Sequence, residues 1–123
     1  MILVVDDTAD TREIYSLYLT SRGFTVPTAR DGLSGIDAAE RLHPDVVVMD
    51  LSMPDLDGVE ATRRLKAGSR TADIPVLILT AHPMLAVQKG ALDGAADGFL
   101  TKPCLPEDLE KHLRQLLDRT PKP

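Results

Sequence analysis

Residues with chemically active side chains follow four short apolar segments of this sequence: Asp6 and Asp7, Asp50, Thr80, and Lys102. Asp50 comes directly after the run 46–49, which is wholly apolar and contains three β-branched valines. Such a run is typical of a strand buried on both faces of a parallel sheet. Because an unpaired buried carboxylate is costly, we expect Asp50 at the carboxyl end of that strand, where open α/β sheets bind ligands. A turn cap before Pro54 is the alternative role for this aspartate.

The order of apolar and polar segments predicts the strands and helices that position these side chains. Five strands are expected at residues 2–5, 24–29, 46–49, 76–79 and 98–101. Five helices are also expected. The first begins at residue 8 or 10 and ends at residue 22, and the others lie at residues 31–42, 57–67, 83–92 and 106–119. The fourth of them is Ala-rich, and it is a weaker helix because Gly90 lies inside it. Pro27 places the second strand at an edge of the sheet. Strict alternation of this kind predicts an α/β fold, with a doubly wound, five-stranded parallel sheet covered by helices on both faces.

The predicted sheet brings the five polar residues together, because the carboxyl ends of parallel strands share one edge. Each residue taken alone has a simpler role, as a helix cap or a surface lysine, but all five together are poorly explained in that way. Clustered carboxylates repel one another unless a cation lies among them, and hard oxygen ligands suit Mg²⁺, with Mn²⁺ as an alternative. We expect Asp7 and Asp50 to bind the ion directly and Asp6 to act through water. A backbone carbonyl such as that of Ser52 would complete the set.

The same edge of the sheet has the groups that phosphoryl transfer requires. Lys102 and the Thr80 hydroxyl can contact the oxygens of a phosphoryl group, and a carboxylate can be its covalent acceptor. Asp50 is the best-placed acceptor, because it ends the central buried strand. In the loose transition state of this reaction, the protein mainly positions groups and neutralises charge.

Length and composition exclude several other classes of protein. The 123 residues suffice for one domain with a single core, without disulfides or a structural metal. A net charge of -5 disfavours direct binding of nucleic acid, and no apolar run approaches the roughly 20 residues that span a bilayer. Cys104 is the only cysteine, and the three histidines lack metal-ligand spacing. No signal-peptide pattern follows Met1, so we expect the cytoplasm.

Over nearly its whole length, the chain resembles the receiver domain of two-component response regulators. Six pieces of sequence match the family: the acidic pair Asp6-Asp7, the phosphorylated aspartate Asp50, the pairs Met53-Pro54 and Asp57-Gly58 after it, the switch hydroxyl Thr80 before a small residue, and the pair Lys102-Pro103. Cys104 departs from the family, where a larger apolar residue is common, and this affects local packing only.

The resemblance implies a mechanism and partners. It implies the sheet order 2-1-3-4-5, a cis bond before Pro103, and Mg²⁺-dependent transfer of a phosphoryl group to Asp50 from a histidine kinase or a histidine phosphotransfer protein. Thr80 and Phe99 would be switch residues, and Ser52 and His82 would control access of the hydrolytic water. The switching surface would be the fourth helix, fifth strand and fifth helix, which would bind a downstream protein target, an attached output domain or a second protomer. Such a domain is a signalling module and not an enzyme, although it assists its own phosphorylation and dephosphorylation.

Three other interpretations have to be compared with this one. A flavodoxin-like flavin protein needs a phosphate-binding loop after the first strand, where Asp6-Asp7 would repel a phosphate. A haloacid-dehalogenase-like phosphatase needs an aspartate two residues after its nucleophile, and Ser52 is found there. A structural module with an inactive site would not need the complete acidic set. Within the family, residues 1–119 form either a stand-alone receiver or a receiver excised from a larger regulator or hybrid kinase, and residues 120–123 are a frayed tail or the start of a linker.

Overall fold

A computed structural model describes residues 1–51, 53, 56–81 and 96–119, and it shows alternating strands and helices. The strands are β1 (Ile2–Val5), β2 (Thr28–Ala29), β3 (Val46–Met49), β4 (Val76–Thr80) and β5 (Gly98–Thr101). The helices are α1 (Ala9–Ser21), α2 (Gly32–Leu42), α3 (Gly58–Ala67) and α4 (Pro106–Arg119). The helix that we call α4 is the fifth predicted helix, because the fourth, at 83–92, lies outside the described residues.

The five strands form one parallel sheet in the order β2-β1-β3-β4-β5, as predicted. Val5 of β1 lies beside Met49 of β3, and Thr80 of β4 lies beside Thr101 of β5. Met49 also lies beside Ile78, so the four carboxyl ends lie at one edge of the sheet, with β4 and β5 extending two residues beyond β1 and β3. The side chains that follow those ends therefore face a common space.

The sheet is buried on both faces, which explains the wholly apolar strand sequences. Residues Leu3 and Val5 of β1 belong to the core cluster that includes residues of α2 and α3. Their neighbours Ile2 and Val4 point to the opposite cluster, with residues of α1 and α4. Every residue of β1, β3 and β4 is buried, so the central strands have no solvent-facing side.

The second strand is shorter than predicted. We expected residues 24–29, whereas β2 contains only Thr28 and Ala29. The preceding backbone nevertheless follows β1, because the carbonyls of Thr25 and Pro27 accept hydrogen bonds from Ile2 and Val4 at 2.8 and 3.0 Å. Proline has no N–H to return such a bond, so the regular ladder cannot extend back through Pro27.

A buried carboxylate links the two helices on one face of the sheet. Glu110 of α4 is only 7% exposed and accepts hydrogen bonds from the Tyr18 hydroxyl, at 2.8 Å, and from Arg22. Arg114, four residues further along α4, donates a third at 2.9 Å. Hydrogen bonding from Tyr18, followed by that from the arginines, lowers the pKa of Glu110 from 4.5 to about 2. The ionised form of Glu110 thus holds α1 against α4.

Candidate functional site

The acidic residues of the site are positioned by two adjacent strands. Asp6 and Asp7 come directly after β1, and Asp50 comes directly after β3. The Asp50 N–H donates to the Val5 carbonyl at 3.0 Å, which keeps these two chain segments side by side beyond the last paired residues. The backbone N–H of Asp6 donates a hydrogen bond to the Ala29 carbonyl at the end of β2, at 3.0 Å.

The three carboxylates form a compact cluster. One oxygen from each of Asp6, Asp7 and Asp50 lies within 4.8 Å of the others. Asp6 and Asp50 are buried, at 2% and 6% exposure, whereas Asp7 faces solvent. Three negative charges this close destabilise one another unless cations compensate them. The cluster therefore has the charge and the hard oxygen donors that a divalent cation requires.

Lys102 supplies one positive charge to this cluster. Its Nζ lies 2.8 Å from Asp6 Oδ2 and 3.9 Å from Asp50 Oδ1. The lysine follows β5, and its backbone N–H donates to the Thr80 carbonyl at 2.7 Å, so the ends of β4 and β5 are fixed to each other. The peptide bond between Lys102 and Pro103 is cis, as expected from the resemblance. A single lysine leaves the site with a net negative charge among these four residues.

Two contacts to Asp6 were not foreseen from the sequence. The Thr8 N–H donates to Asp6 Oδ1 at 2.9 Å, so both oxygens of this carboxylate accept hydrogen bonds. Arg12 Nη1 donates to the backbone carbonyl of Asp6 at 2.7 Å. The sequence indicates this contact only weakly, because Arg12 is simply a basic residue six positions after Asp6, in the first turns of α1. Asp6 is therefore held more firmly than Asp7, for which the described residues show no hydrogen bond.

The other predicted site residues divide into two groups. Thr80 is fully buried at the end of β4, and Phe99 is half-buried on β5, where it packs against the core on the side of α2 and α3. Phe99 lies beside Ile78 in the sheet, two residues before Thr80. Ser52 and His82 lie outside the described residues.

A close approach between α3 and β3 shapes the loop after Asp50. The Gly58 N–H donates to the Leu51 carbonyl at 3.1 Å. A Cβ atom at Gly58 would overlap the carbonyl oxygen of Asp50, so only glycine fits there without a shift of backbone. The Asp57 side chain caps α3 by accepting from the Glu60 N–H at 3.0 Å. The first turn of α3 is thus fixed against the backbone of Asp50.

A largely apolar cavity of about 480 Å³ adjoins the site on the side of α1 and α4. Ile14, which is 55% exposed, lines it together with Tyr15, Lys102 and Cys104. The Tyr15 hydroxyl donates to the Cys104 carbonyl at 2.8 Å. Burial is the main reason that the pKa of Tyr15 rises to about 12. Tyr15 is thus a neutral hydrogen-bond donor at physiological pH.

A five-stranded parallel sheet with an acidic cluster and a lysine at its carboxyl edge is the arrangement expected for a receiver domain. Comparisons with known proteins agree with this class. The chain matches the family model described as the response regulator receiver domain over residues 2–114. It is 40% identical over 97% of its length to the DNA-binding dual master transcriptional regulator RpaA of Synechocystis, and 41% identical over 97% to the response regulator MprA of a Mycobacterium strain. The chain spans about half the length of these curated relatives, 49% and 51%.

Solved structures show the same architecture. The chemotaxis protein CheY4 of Vibrio cholerae has a TM-score of 0.83 and 34% identity, with 94% of this chain and 96% of that chain covered. The receiver domain of the sensor histidine kinase PA1611 of Pseudomonas aeruginosa has a TM-score of 0.87 and 29% identity, with 95% and 96% covered. In that structure a magnesium ion is coordinated in the active-site cleft. The chain belongs to the response regulator receiver domain family, the signalling domains of two-component systems.

Proposed function

We propose that this receiver domain accepts a phosphoryl group on Asp50. The observation that carries the proposal is the position of this carboxylate, which is 6% exposed at the end of β3, within 4.8 Å of Asp7 and 3.9 Å from Lys102 Nζ. An aspartate so placed has a cationic group and two further carboxylates, which can hold a metal, close to its own oxygens. These are the parts that phosphoryl transfer to a carboxylate requires.

The neighbouring residues are proposed to bind the metal and to contact the oxygens of the phosphoryl group. Asp7 and Asp50 are the proposed direct ligands of Mg²⁺, with Mn²⁺ as a substitute, while Asp6 acts through water and the Ser52 carbonyl completes the protein ligands. The bound ion supplies neutralising charge to the oxygens of the transferred group. Lys102 and the Thr80 hydroxyl contact the oxygens on the other side. Since the Lys102 Nζ already lies between Asp6 and Asp50, a short movement brings it to a group on Asp50.

The donor and the target of the signal follow from the family. A histidine kinase or histidine phosphotransfer protein supplies the phosphoryl group, and the domain itself assists its transfer and its later hydrolysis. Residues 1–119 are proposed to form the receiver, which acts in the cytoplasm on a downstream protein, an attached output domain or a second protomer. Because the chain spans about half of its curated relatives, an attached output domain is the organisation that those relatives favour.

The direct test is phosphorylation by acetyl phosphate with Mg²⁺, followed by intact-mass measurement. We expect the wild-type chain to gain the mass of one phosphoryl group and Asp50→Asn to gain none. Asp45→Asn is the matched control, because Asp45 lies at the opposite end of the same strand with a 64% exposed side chain. Equal incorporation in the wild type and in Asp50→Asn would refute the assignment.

The lifetime of the phosphoryl group is assigned to Ser52 and His82. They follow Asp50 and Thr80 by two residues, and in the family these positions control access of water to the phosphorylated aspartate. Replacing both with bulkier or differently charged side chains should change the dephosphorylation rate several-fold, measured after removal of the phosphodonor. An unchanged rate in the double variant would show that other residues control the water.

A further inference from the structure

A second cavity, of about 350 Å³, lies at the free edge of the sheet beside β2. One wall is the helix face formed by Ser34, Asp37, Ala38 and Arg41, which recur every three or four residues along α2. The other wall is the backbone region 28–30, and Arg12 of α1 also reaches the cavity. None of these residues belongs to the acidic cluster, and only Arg12 touches it among the contacts described above, through the backbone carbonyl of Asp6.

Positive charge dominates this cavity, although the whole chain has a net charge of -5. Arg12, Arg30 and Arg41 line it, and Asp37 is the only carboxylate among the described lining residues. Asp37 accepts a hydrogen bond from Arg41 at 3.2 Å, but its side chain is 73% exposed, so solvent weakens that pair. The lining therefore has a formal charge of +2, which attracts an anion.

The neighbouring carboxylate of Asp31 reduces the positive potential near Arg30, but its hydrogen bonds among the described residues come from Ser34 and not from an arginine. Asp31 Oδ1 accepts hydrogen bonds from the Ser34 N–H and hydroxyl at 2.8 and 2.7 Å, and so it caps α2. Those hydrogen bonds are the main reason that the pKa of Asp31 is lowered, with a smaller contribution from Arg30. Arg30 thus attracts Asp31 without donating a hydrogen bond to it among the described residues, and the N–H groups of its guanidinium remain available to a ligand.

Most of the donors of the three arginines are unused. In the part of the chain that the structure describes, Arg12 donates one hydrogen bond, to Asp6, and Arg41 donates one, to Asp37. No hydrogen bond is recorded there for the side chain of Arg30. A guanidinium group presents five N–H donors in a planar fork that matches the oxygens of a phosphate. Bidentate hydrogen bonds between charged partners, such as arginine and phosphate, are among the strongest hydrogen bonds in proteins.

We propose that this cavity binds a small phosphorylated molecule, with the phosphate between Arg30 and Arg41 and with Arg12 at the inner end. The volume is at the lower end of the range for small-molecule sites, so a phosphate ester with a small organic group fits better than a large cofactor. A phosphate is favoured over a carboxylate because three arginines can together engage more oxygens than one carboxylate offers.

The test is an NMR titration of the ¹⁵N-labelled chain without Mg²⁺, so that phosphate is not drawn to the acidic cluster. Inorganic phosphate and adenosine monophosphate are the probes, at a constant ionic strength of KCl. We expect saturable shifts of the amides of Ala29, Arg30 and Ala38, and an affinity at least fivefold weaker in Arg30→Gln and Arg41→Gln. Arg70→Gln removes the same charge from an exposed loop outside the cavity and should leave the affinity unchanged.

Three outcomes would overturn the proposal. Shifts that grow linearly without saturation would show only general attraction of anions to the surface. Equal weakening in Arg70→Gln and in the cavity variants would show that net charge, and not the cavity, determines binding. Acetate bound as tightly as phosphate would refute the assignment to a phosphorylated ligand. Intact folding of each variant is checked by its ¹⁵N spectrum before titration.

Discussion

At the scale of single residues, Asp6 and Asp7 are neighbours with different surroundings. Asp6 is 2% exposed, and its oxygens accept from Thr8 and Lys102, whereas Asp7 faces solvent. A carboxylate whose oxygens are already engaged is suited to orient water and a lysine. An exposed carboxylate of the same cluster can turn toward a metal at little cost.

This difference predicts unequal effects on metal binding. Asp6→Asn should weaken Mg²⁺ binding about tenfold, as is typical for a residue that acts through the outer shell, and Asp7→Asn should weaken it further. Asp10→Asn, an exposed acid in the first turn of α1, controls for the loss of one charge. Titration with Mg²⁺ gives the three dissociation constants. A greater loss in Asp6→Asn than in Asp7→Asn would show that the two roles are reversed.

The site residues that could be predicted from the sequence lie at strand ends, whereas those that were missed make their contacts through the backbone. Asp50, Thr80 and Lys102 could be assigned because each follows an apolar strand, and the carboxyl ends of parallel strands must meet. Arg12 and Thr8 reach Asp6 through a backbone carbonyl and a backbone N–H. Such contacts depend on the path of the chain between β1 and α1, and no side-chain pattern records that path.

At the scale of elements, the packing of α1 against α4 depends on the ionised form of Glu110. The folded-state pKa of about 2 lies below the ordinary 4.5, so the folded protein binds this proton less readily than the unfolded chain does. The stabilising contribution of Glu110 is therefore complete above about pH 4.5. It is lost as the pH falls through about 2.

Glu110→Gln tests this dependence on pH. The variant should unfold more readily than the wild type at pH 7, and the difference in unfolding free energy should shrink as the pH falls from 4.5 toward about 2. Denaturant unfolding at a series of pH values measures it. Glu40→Gln, on an exposed position of α2, should show no such trend. A constant difference across this range would mean that Glu110 stabilises by packing and not by its charge.

The order of the sheet was easier to predict than the length of its edge strand β2. Central strands such as β3 are buried on both faces, and their apolar runs have clear limits. For the edge strand β2, the sequence pattern predicted that residues 24–27 are part of the strand. In the structure these residues lie beside β1 without a regular ladder of hydrogen bonds. The ladder depends on a backbone N–H that Pro27 lacks. The other edge strand, β5, has the predicted bounds, 98–101, so the proline and not the edge position alone shortens β2.

At the scale of the whole molecule, β4 and β5 connect the acidic site to the surface that would carry the signal. The Thr80 carbonyl accepts from the Lys102 N–H. Phe99, three residues before Lys102, lies beside Ile78, two residues before Thr80. On the proposed assignment, a phosphoryl group on Asp50 would add about -1.5 to -2 charges and would draw Lys102 and the Thr80 hydroxyl toward it. Because the two strand ends are bonded to each other, they should move together.

Beryllofluoride with Mg²⁺, which mimics the phosphoryl group, gives a direct test of this connection. We expect NMR shifts at Asp7 and Asp50, and also throughout Ala81 to Leu105, as the population moves toward the activated form. Asp50→Asn is the control and should show no change with beryllofluoride. Shifts confined to the loops around Asp7 and Asp50 would mean that the signal leaves through another face of the domain.

The hydrogen bond from Gly58 to the Leu51 carbonyl has a consequence for how this chain can change in length. It joins the backbone directly after Asp50 to the first residue of α3, so both ends of the connection between β3 and α3 are held by a backbone contact. For a connection with fixed ends, each doubling of length costs only about 0.6 kcal/mol when the added residues are flexible. Met53 is buried and Leu56 packs against the core, so an insertion between these two residues should leave Asp50 and the first turn of α3 in place. The sequence between Met53 and Leu56 is therefore where this fold can accept new residues without moving the phosphoacceptor assigned to Asp50.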